Sequence, residues 1–318
     1  MTTQTTTSAQ AATQELLSLE EQETQPVVSQ TTVLPATDQL DLFVADIIDV
    51  APKSDISSME YPIFAISSKP DREKFRYENE QTGNWLEVIP SADGRATIHD
   101  KDLLIYSFGQ IAEAANRGRP TSRRVKITAF DYLMTTKRGT DGKSYKAIGD
   151  TLARLRGTVF RTNINESPGS RKSKGEVFGL IDYGAAVTDK NGRLEYFEVV
   201  ISEQLYNAVA NNQILTYNRE YFGLRSPYDR RLYEICRKHC GNQPMWDIGL
   251  EKLWRKFGVK SPLREFRRKI KDVIKKQSVP DYFLQHETAK VSGSIEKLIV
   301  MKDFDGSLRA SVREVSPS

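Results

Sequence analysis

The chain has 318 residues, 38% of them hydrophobic, with 46 Lys and Arg against 42 Asp and Glu for a formal net charge of +4. That length holds two ordinary domains and a tail, and the lack of any apolar run of about 18 residues argues against a membrane-spanning helix. The only cysteines, Cys236 and Cys240, argue against a secreted disulfide framework and fit a reducing cytoplasm. Residues 1–14, rich in Thr, Gln and Ala, have neither the basic start nor the apolar core of a signal peptide.

The charge is partitioned along the chain. Residues 1–60 hold one Lys or Arg and ten Asp or Glu. Two later blocks are basic: 117–175 carries 15 basic and 4 acidic residues, and 221–279 carries 16 and 6. An acidic tail followed by two basic blocks predicts a polyanion gripped at two places.

In chain order, residues 1–36 show no apolar periodicity and read as disordered. Residues 39–50 are an apolar island within the acidic tail, and the folded part is expected to begin near Met59–Ile66. Trp85–Ile89 reads as a strand. Asp100 is placed to cap a helix to about Asn116 that buries Leu104, Phe108, Ile111 and Ala115. A strand over Val125–Ile127 leads to Thr128 as the cap of a second helix. Gly139 and Asp141-Gly142 signal a turn, after which Ser144 caps a third helix to about Leu155. Thr158–Thr162 and Val177–Val187 read as strands flanking a tip at Ser167–Gly175, and Asn191-Gly192 as a two-residue turn into Leu194–Ile201. This is winged-helix order.

The order recurs. Ser226-Pro227 opens a helix to Lys238, followed by Gly241 where a C-cap glycine belongs. Asp247 is expected to open a second helix ending near Phe257-Gly258, and Ser261-Pro262 a third, Leu263–Lys276. Tyr282–His286 and Ile295–Met301 form the closing hairpin. The expected fold is therefore α+β: two tandem winged-helix domains, 59–220 and 221–304, with a disordered acidic tail over 1–58 and a C-terminal tail over 305–318.

The third helix of the second unit carries the clearest functional pattern. Leu263, Phe266, Ile270, Val273 and Ile274 form one apolar stripe, and Arg264, Arg267, Arg268, Lys271 and Lys275 share another face. Such a helix suits a DNA major groove, where Arg reads guanine and Lys engages phosphate; the plainer alternative is a solvated basic face. In the first unit, Ser144, Tyr145, Lys146, Arg154 and Arg156 are the candidate DNA contacts of the third helix. Arg171, Lys172 and Lys174 form a basic tip suited to the backbone or minor groove.

Signs of catalysis are sparse. Gly139–Ser144 has two residues between its glycines where a phosphate loop needs four, and a helix precedes it. His99, His239 and His286 are isolated, and Cys236, His239 and Cys240 lack a fourth ligand, so the cysteines read as core residues. No catalytic residue, metal or cofactor is expected.

With those residues set out, the chain resembles the plasmid replication initiator protein A family and, more loosely, the TrfA-type initiators. The resemblance runs from about Met59 to Asp303 and rests on Met59-Glu60-Tyr61-Pro62-Ile63-Phe64, on Tyr145–Gly157 and on Tyr221–Gly241. It implies a non-enzymatic protein of the bacterial cytoplasm, associated with plasmid and nucleoid. Such a protein binds repeats in double-stranded origin DNA as a monomer, can dimerise, and recruits the host replicative helicase and chromosomal initiator. Gln39-Leu40-Asp41-Leu42-Phe43 also resembles the pentapeptide that binds the bacterial sliding clamp, with Leu42 and Phe43 as anchors; the alternative is a short segment that docks on its own protein. Two rival readings are a winged-helix transcriptional repressor and a clamp-tethered DNA-nicking enzyme, the latter requiring a carboxylate or His cluster that the sequence does not display.

Overall fold

The computed structural model describes residues 41–67, 70–79, 82–163, 175–290, 294–303 and 306–308, and Asp41–Ser318 is one compact unit of mixed α and β structure. It opens with strands β1 (Leu42–Ala45) and β2 (Lys53–Asp55), helix α1 (Ile56–Glu60), strands β3 (Phe75–Glu78) and β4 (Trp85–Ile89), and helix α2 (Lys101–Asn116). Strand β5 (Arg124–Thr128), helices α3 (Ala129–Thr135) and α4 (Gly142–Gly157), and strands β6 (Val159–Thr162), β7 (Glu176–Gly179), β8 (Ile181–Thr188) and β9 (Leu194–Ile201) follow. Helix α5 (Glu203–Ala210), strand β10 (Ile214–Thr216) and a 3-10 turn over Arg219–Gly223 lead to the second half. That half comprises α6 (Pro227–His239), β11 (Met245–Gly249), α7 (Leu250–Phe257), α8 (Leu263–Lys276), β12 (Tyr282–Lys290) and β13 (Ser294–Lys302).

The two halves share one pairing scheme. In the first, β5 pairs antiparallel with β9 and β9 with β8; in the second, β11 pairs with β13 and β13 with β12. Each sheet is preceded by a helix, α2 or α6, and holds two helices between its first and second strands. The first half adds a separate sheet, β3-β4-β6-β7. The expected single strand Val177–Val187 is in fact two, β7 in that added sheet and β8 in the main one, because the chain turns at Leu180.

The expected disordered tail over 1–58 does not hold from residue 42 on, where strands and a helix form. Leu42-Phe43-Val44-Ala45 alternates outward and inward, and β1 joins the sheet edge parallel to β5. Strand β2 pairs with β10, 160 residues on, and Asp55 caps α1 by accepting from the Ser58 amide at 2.7 Å. Residues 1–40 lie outside the described residues.

Local signals at the helix starts were partly misplaced. Asp100 does not cap α2 through its side chain in the ordinary way; Thr97 and Asp100 bond reciprocally, the Thr97 amide donating to Asp100 Oδ2 at 2.8 Å and the Asp100 amide to Thr97 Oγ1 at 3.3 Å. Asp141 caps α4 by accepting from the Ser144 amide, so Ser144 lies within the first turn. Asp247 sits in β11, and α7 starts three residues later. The β8–β9 turn is wider than two residues: Asp189 and Arg193 close it, with Gly192 at φ 76°. By contrast, Ser226 caps α6 with Pro227 next to it, as the sequence predicts.

Buried residues form two cores. One packs α2, α3, α4 and the β5-β9-β8 sheet around Phe108, Leu133, Leu152 and Phe197. The other packs α6, α7, α8 and the terminal hairpin around Leu232, Leu253, Phe266 and Val300. Helix α2 serves both: Leu103, Leu104 and Phe108 enter the first core, Ile105 the second. Every residue from Lys101 to Ile111 is buried, as befits a helix covered on all sides. Among the described residues no helix is long and apolar enough to cross a membrane.

Gly258 tests the packing between the halves. It ends α7 in the left-handed region at φ 62°, and a Cβ there would fall 2.4 Å from Pro62 Cβ. Gly258→Ala is expected to cost about 2 kcal/mol in urea unfolding, through backbone strain and overlap together. An unchanged midpoint would show that this approach is not tight.

Candidate nucleic-acid interface

Helix α8 is amphipathic because its apolar residues recur every three or four positions. Phe266, Ile270 and Val273 are buried, each such side chain contributing about 1.5–3 kcal/mol. Arg264, Arg268, Lys271 and Lys275 are exposed on the opposite face. Of these, Arg264 and Lys275 have no ion pair among the described residues, Arg268 reaches Asp272 at 3.5 Å, and Lys271 is 3.9 Å from Glu296. Arg267 differs from its expected role. Its Nε donates to Glu296 Oε2 at 2.5 Å, and Glu296 also meets His286 Nε2 at 2.6 Å, so Arg267 ties α8 to the hairpin. Burial works against the Glu296 carboxylate, but the bonds from Arg267 and His286 outweigh it and hold its pKa below the usual range.

In α4, Ile148, Leu152 and Leu155 are buried, leaving Lys146 and Arg156 exposed. Tyr145 packs half-buried on the first core and Ser144 is taken up in the helix cap. Arg154, expected at the DNA, is instead an internal strut: Nε and Nη2 donate to Asp100 Oδ2 and Oδ1 at 2.8 and 2.7 Å, a bidentate pair. Its distance from Asp100 in sequence hid this.

Arg171, Lys172 and Lys174 lie outside the described residues. In sequence they fall between β6 and β7, two strands of the added sheet. The hairpin that corresponds to β12–β13 is β8–β9, whose turn carries the exposed Lys190 and Arg193. This turn shares an open groove with α4, lined by Gly142, Tyr145, Lys146, Gly149, Gly192 and Arg193. Sequence reasoning did not single out Lys190 and Arg193, because it looked for a basic tip at Ser167–Gly175. The signal was the Asp189–Arg193 turn itself.

Gln39 and Leu40 are outside the described residues, while Asp41, Leu42 and Phe43 are not the free peptide expected. Phe43 is 4% exposed in the first core with Arg119 above its ring, whereas Leu42 faces out at 44%. A partner that takes Phe43 has first to strip β1 from β5.

Cys236 and Cys240 are buried in the second core, as the sequence implied, and burial pushes the Cys236 thiol up. His239 stacks on Trp246 with ring centroids 4.9 Å apart and lies 2.9 Å from Glu60 Oε2. Lys238 and Lys256 also reach Glu60. Burial opposes the charged Glu60, yet hydrogen bonds from His239, Lys238 and Lys256 prevail and hold its pKa far below the ordinary carboxylate range.

The basic faces rest on a charged seam between the halves. Lys101 Nζ donates to Glu234 Oε1 at 2.6 Å, both side chains being 1% exposed. Arg230 pairs with Asp102, which also accepts from Arg138 Nη2 at 3.0 Å. His99 borders this seam, its carbonyl accepting from Arg138 at 2.6 Å. Burial, then the charges of Arg230 and Arg138, push the His99 pKa down to about 4. Unfolded His protonates near pH 6.5, so this contribution to stability is whole above that value and is lost as pH falls from 6.5 towards 4. The melting temperature is expected to drop between pH 7 and 5, before the low-pKa carboxylates titrate. His99→Gln should flatten that slope, leaving the part due to His239, also held low chiefly by burial. Identical slopes in thermal melts of the two proteins would refute the assignment.

Comparison with known proteins agrees with this architecture. The family model of replication initiator protein A matches residues 53–284. A protein of Wigglesworthia glossinidia brevipalpis, named as a candidate replication protein, is 37% identical over 255 residues, 79% of this chain and 90% of its own. The crystal structure of domains 2 and 3 of RctB, as a selenomethionine derivative, matches with a TM-score of 0.59 at 12% identity, over 78% of this chain and 98% of that one. That likeness is one of fold.

Proposed function

Starting from the fact that the chain belongs to the replication initiator protein A family, we propose that it binds repeated sequences in origin DNA through two winged helices and so brings host replication proteins to the origin. The observation that carries this reading is the repeated scheme of helix, strand, two helices and hairpin, each copy presenting a basic helix beside a hairpin. In helix-turn-helix docking the second helix of the pair lies in the major groove; here these helices are α4 and α8.

On this reading Arg264 and Arg268 face base edges, and Lys271 and Lys275 face phosphates. In α4 the exposed positions between Lys146 and Arg156 are Gly149, Asp150 and Ala153; Gly149 and Ala153 are small enough for the helix backbone to lie close to a duplex, and Asp150 has to face away from the phosphates. Lys190 and Arg193 on the β8–β9 turn meet the flanking backbone. Two helices placed on one face of B-DNA would enter grooves about 34–36 Å apart. A repressor built on the same elements makes the same contacts, and is set apart by whether plasmid copies are lost when the protein is removed.

Neutralising six to ten phosphates makes affinity fall by roughly 10³–10⁵ between 50 and 200 mM salt. Arg264→Ala and Arg268→Ala are each expected to cost about 1–3 kcal/mol on the selected site and to relax one base position. Lys275→Ala should weaken all sequences alike. Arg267→Ala should lower the melting temperature more than it changes sequence preference, because it holds Glu296. Fluorescence anisotropy on a base-substituted duplex set measures the four affinities, and thermal melts the stability of Arg267→Ala; a flat salt response with unchanged affinities would overturn the reading.

A further inference from the structure

We propose that Asp100, Lys101 and Asp102 act as a rigid coupler that fixes the distance and twist between α4 and α8, so that the spacing between the two half-sites is part of what this chain recognises. The inference rests on the DNA-binding reading above. Three consecutive side chains at the start of α2 join both halves. Asp100 holds α4 through Arg154 and through Thr151, whose Oγ1 donates at 2.8 Å. Lys101 holds α6 through Glu234, and Asp102 holds the turn before α4 through Arg138 and α6 through Arg230.

These bonds resist rotation of one half against the other for an electrostatic reason. Lys101, Asp102, Arg230 and Glu234 are each at most 3% exposed as side chains. Separating the halves enough to break one pair leaves an uncompensated buried charge, which is far costlier than losing a surface pair. The seam is reinforced beside the coupler. Arg231 Nη1 donates to the carbonyls of Ser58 and Met59 at 3.0 and 3.1 Å, and its Nη2 to that of Lys256 at 2.7 Å. The chain between the halves is not slack either, since β10 is paired with β2. Inserting two base pairs between half-sites shifts the second by about 7 Å and turns it by roughly 70°, a change that a slack joint would absorb and this one would not.

The test uses the full chain and a duplex selected by it from a randomised pool, footprinted to define the two protected segments. The ratio of affinities for the native duplex and for one with two base pairs inserted midway measures spacing discrimination. The wild type is expected to lose at least about 30-fold on insertion. Arg230→Gln, which leaves Asp102 paired with Arg138, should cut that penalty to under about 5-fold, as should Lys101→Met combined with Glu234→Gln. Leu298→Ala, a core truncation away from the seam, controls for lost stability and should keep the full penalty. A wild-type ratio near one overturns the coupler, as does a full penalty in both folded seam variants. If neither seam variant folds, the wild-type ratio alone decides. Failure of the wild type to bind any duplex would instead overturn the DNA-binding reading on which the coupler rests.

Discussion

Three residues at the first turn of α2 hold charges that point to three other elements, and the placement of both halves follows from them. The two carboxylates sit favourably near a helix N-terminus, where the backbone dipole is positive. Lys101 does not, and it is buried there only because Glu234 meets it from α6. Glu234 in turn accepts from Tyr221 Oη at 3.0 Å and from Arg231 Nη1 at 3.1 Å, so three donors meet its carboxylate. Apolar residues of like volume could stabilise such a site as well. What the charges add is direction, since a hydrogen-bonded pair tolerates one geometry where apolar packing tolerates several.

That arrangement explains which parts of the fold were legible in sequence. The second half was read nearly element by element because its signals are local: the stripe of Phe266, Ile270 and Val273, the Ser226-Pro227 start, and the glycines after α6 and α7. The first half was read less well because its determinants are distant. Strand β1 is four residues long and pairs with residues some 80 positions on, so its alternation alone looked like an island in a tail. The added sheet joins β4 to β6 across three helices. Nothing near Lys101 and Asp102 in sequence reveals their partners at 234 and 230.

The same nonlocality governs the candidate interface. Counting basic residues pointed to α4 and α8 but overstated what each offers a ligand, because a cation spent on an internal carboxylate is not available outside. Arg154 goes to Asp100 and Arg267 to Glu296. Subtracting these pairs leaves a sparser surface: Lys146 and Arg156 on α4, Arg264, Arg268, Lys271 and Lys275 on α8, and Lys190 and Arg193 at a turn. The subtracted residues still matter, since each fixes a helix against the element beside it. Preorganised contacts lose less entropy on binding than contacts from a mobile scaffold.

Burying β1 imposes a further order on events. Phe43 lies in the same core as Val125 and Phe197, and β1 closes one edge of the four-stranded sheet whose far two strands form the β8–β9 hairpin. Four residues with an outward Leu42 and Val44 make a short, weakly anchored edge, held also by Arg119 to Asp46 at 2.9 Å and by the Gln110 amide group to both backbone groups of Ile47. Gln110 and the coupler occupy the same helix, α2, about two and a half turns apart. A partner that pulls β1 away would therefore uncover one end of the helix whose other end aligns the two basic faces, and the free energy of that uncovering would be set against the affinity of the partner.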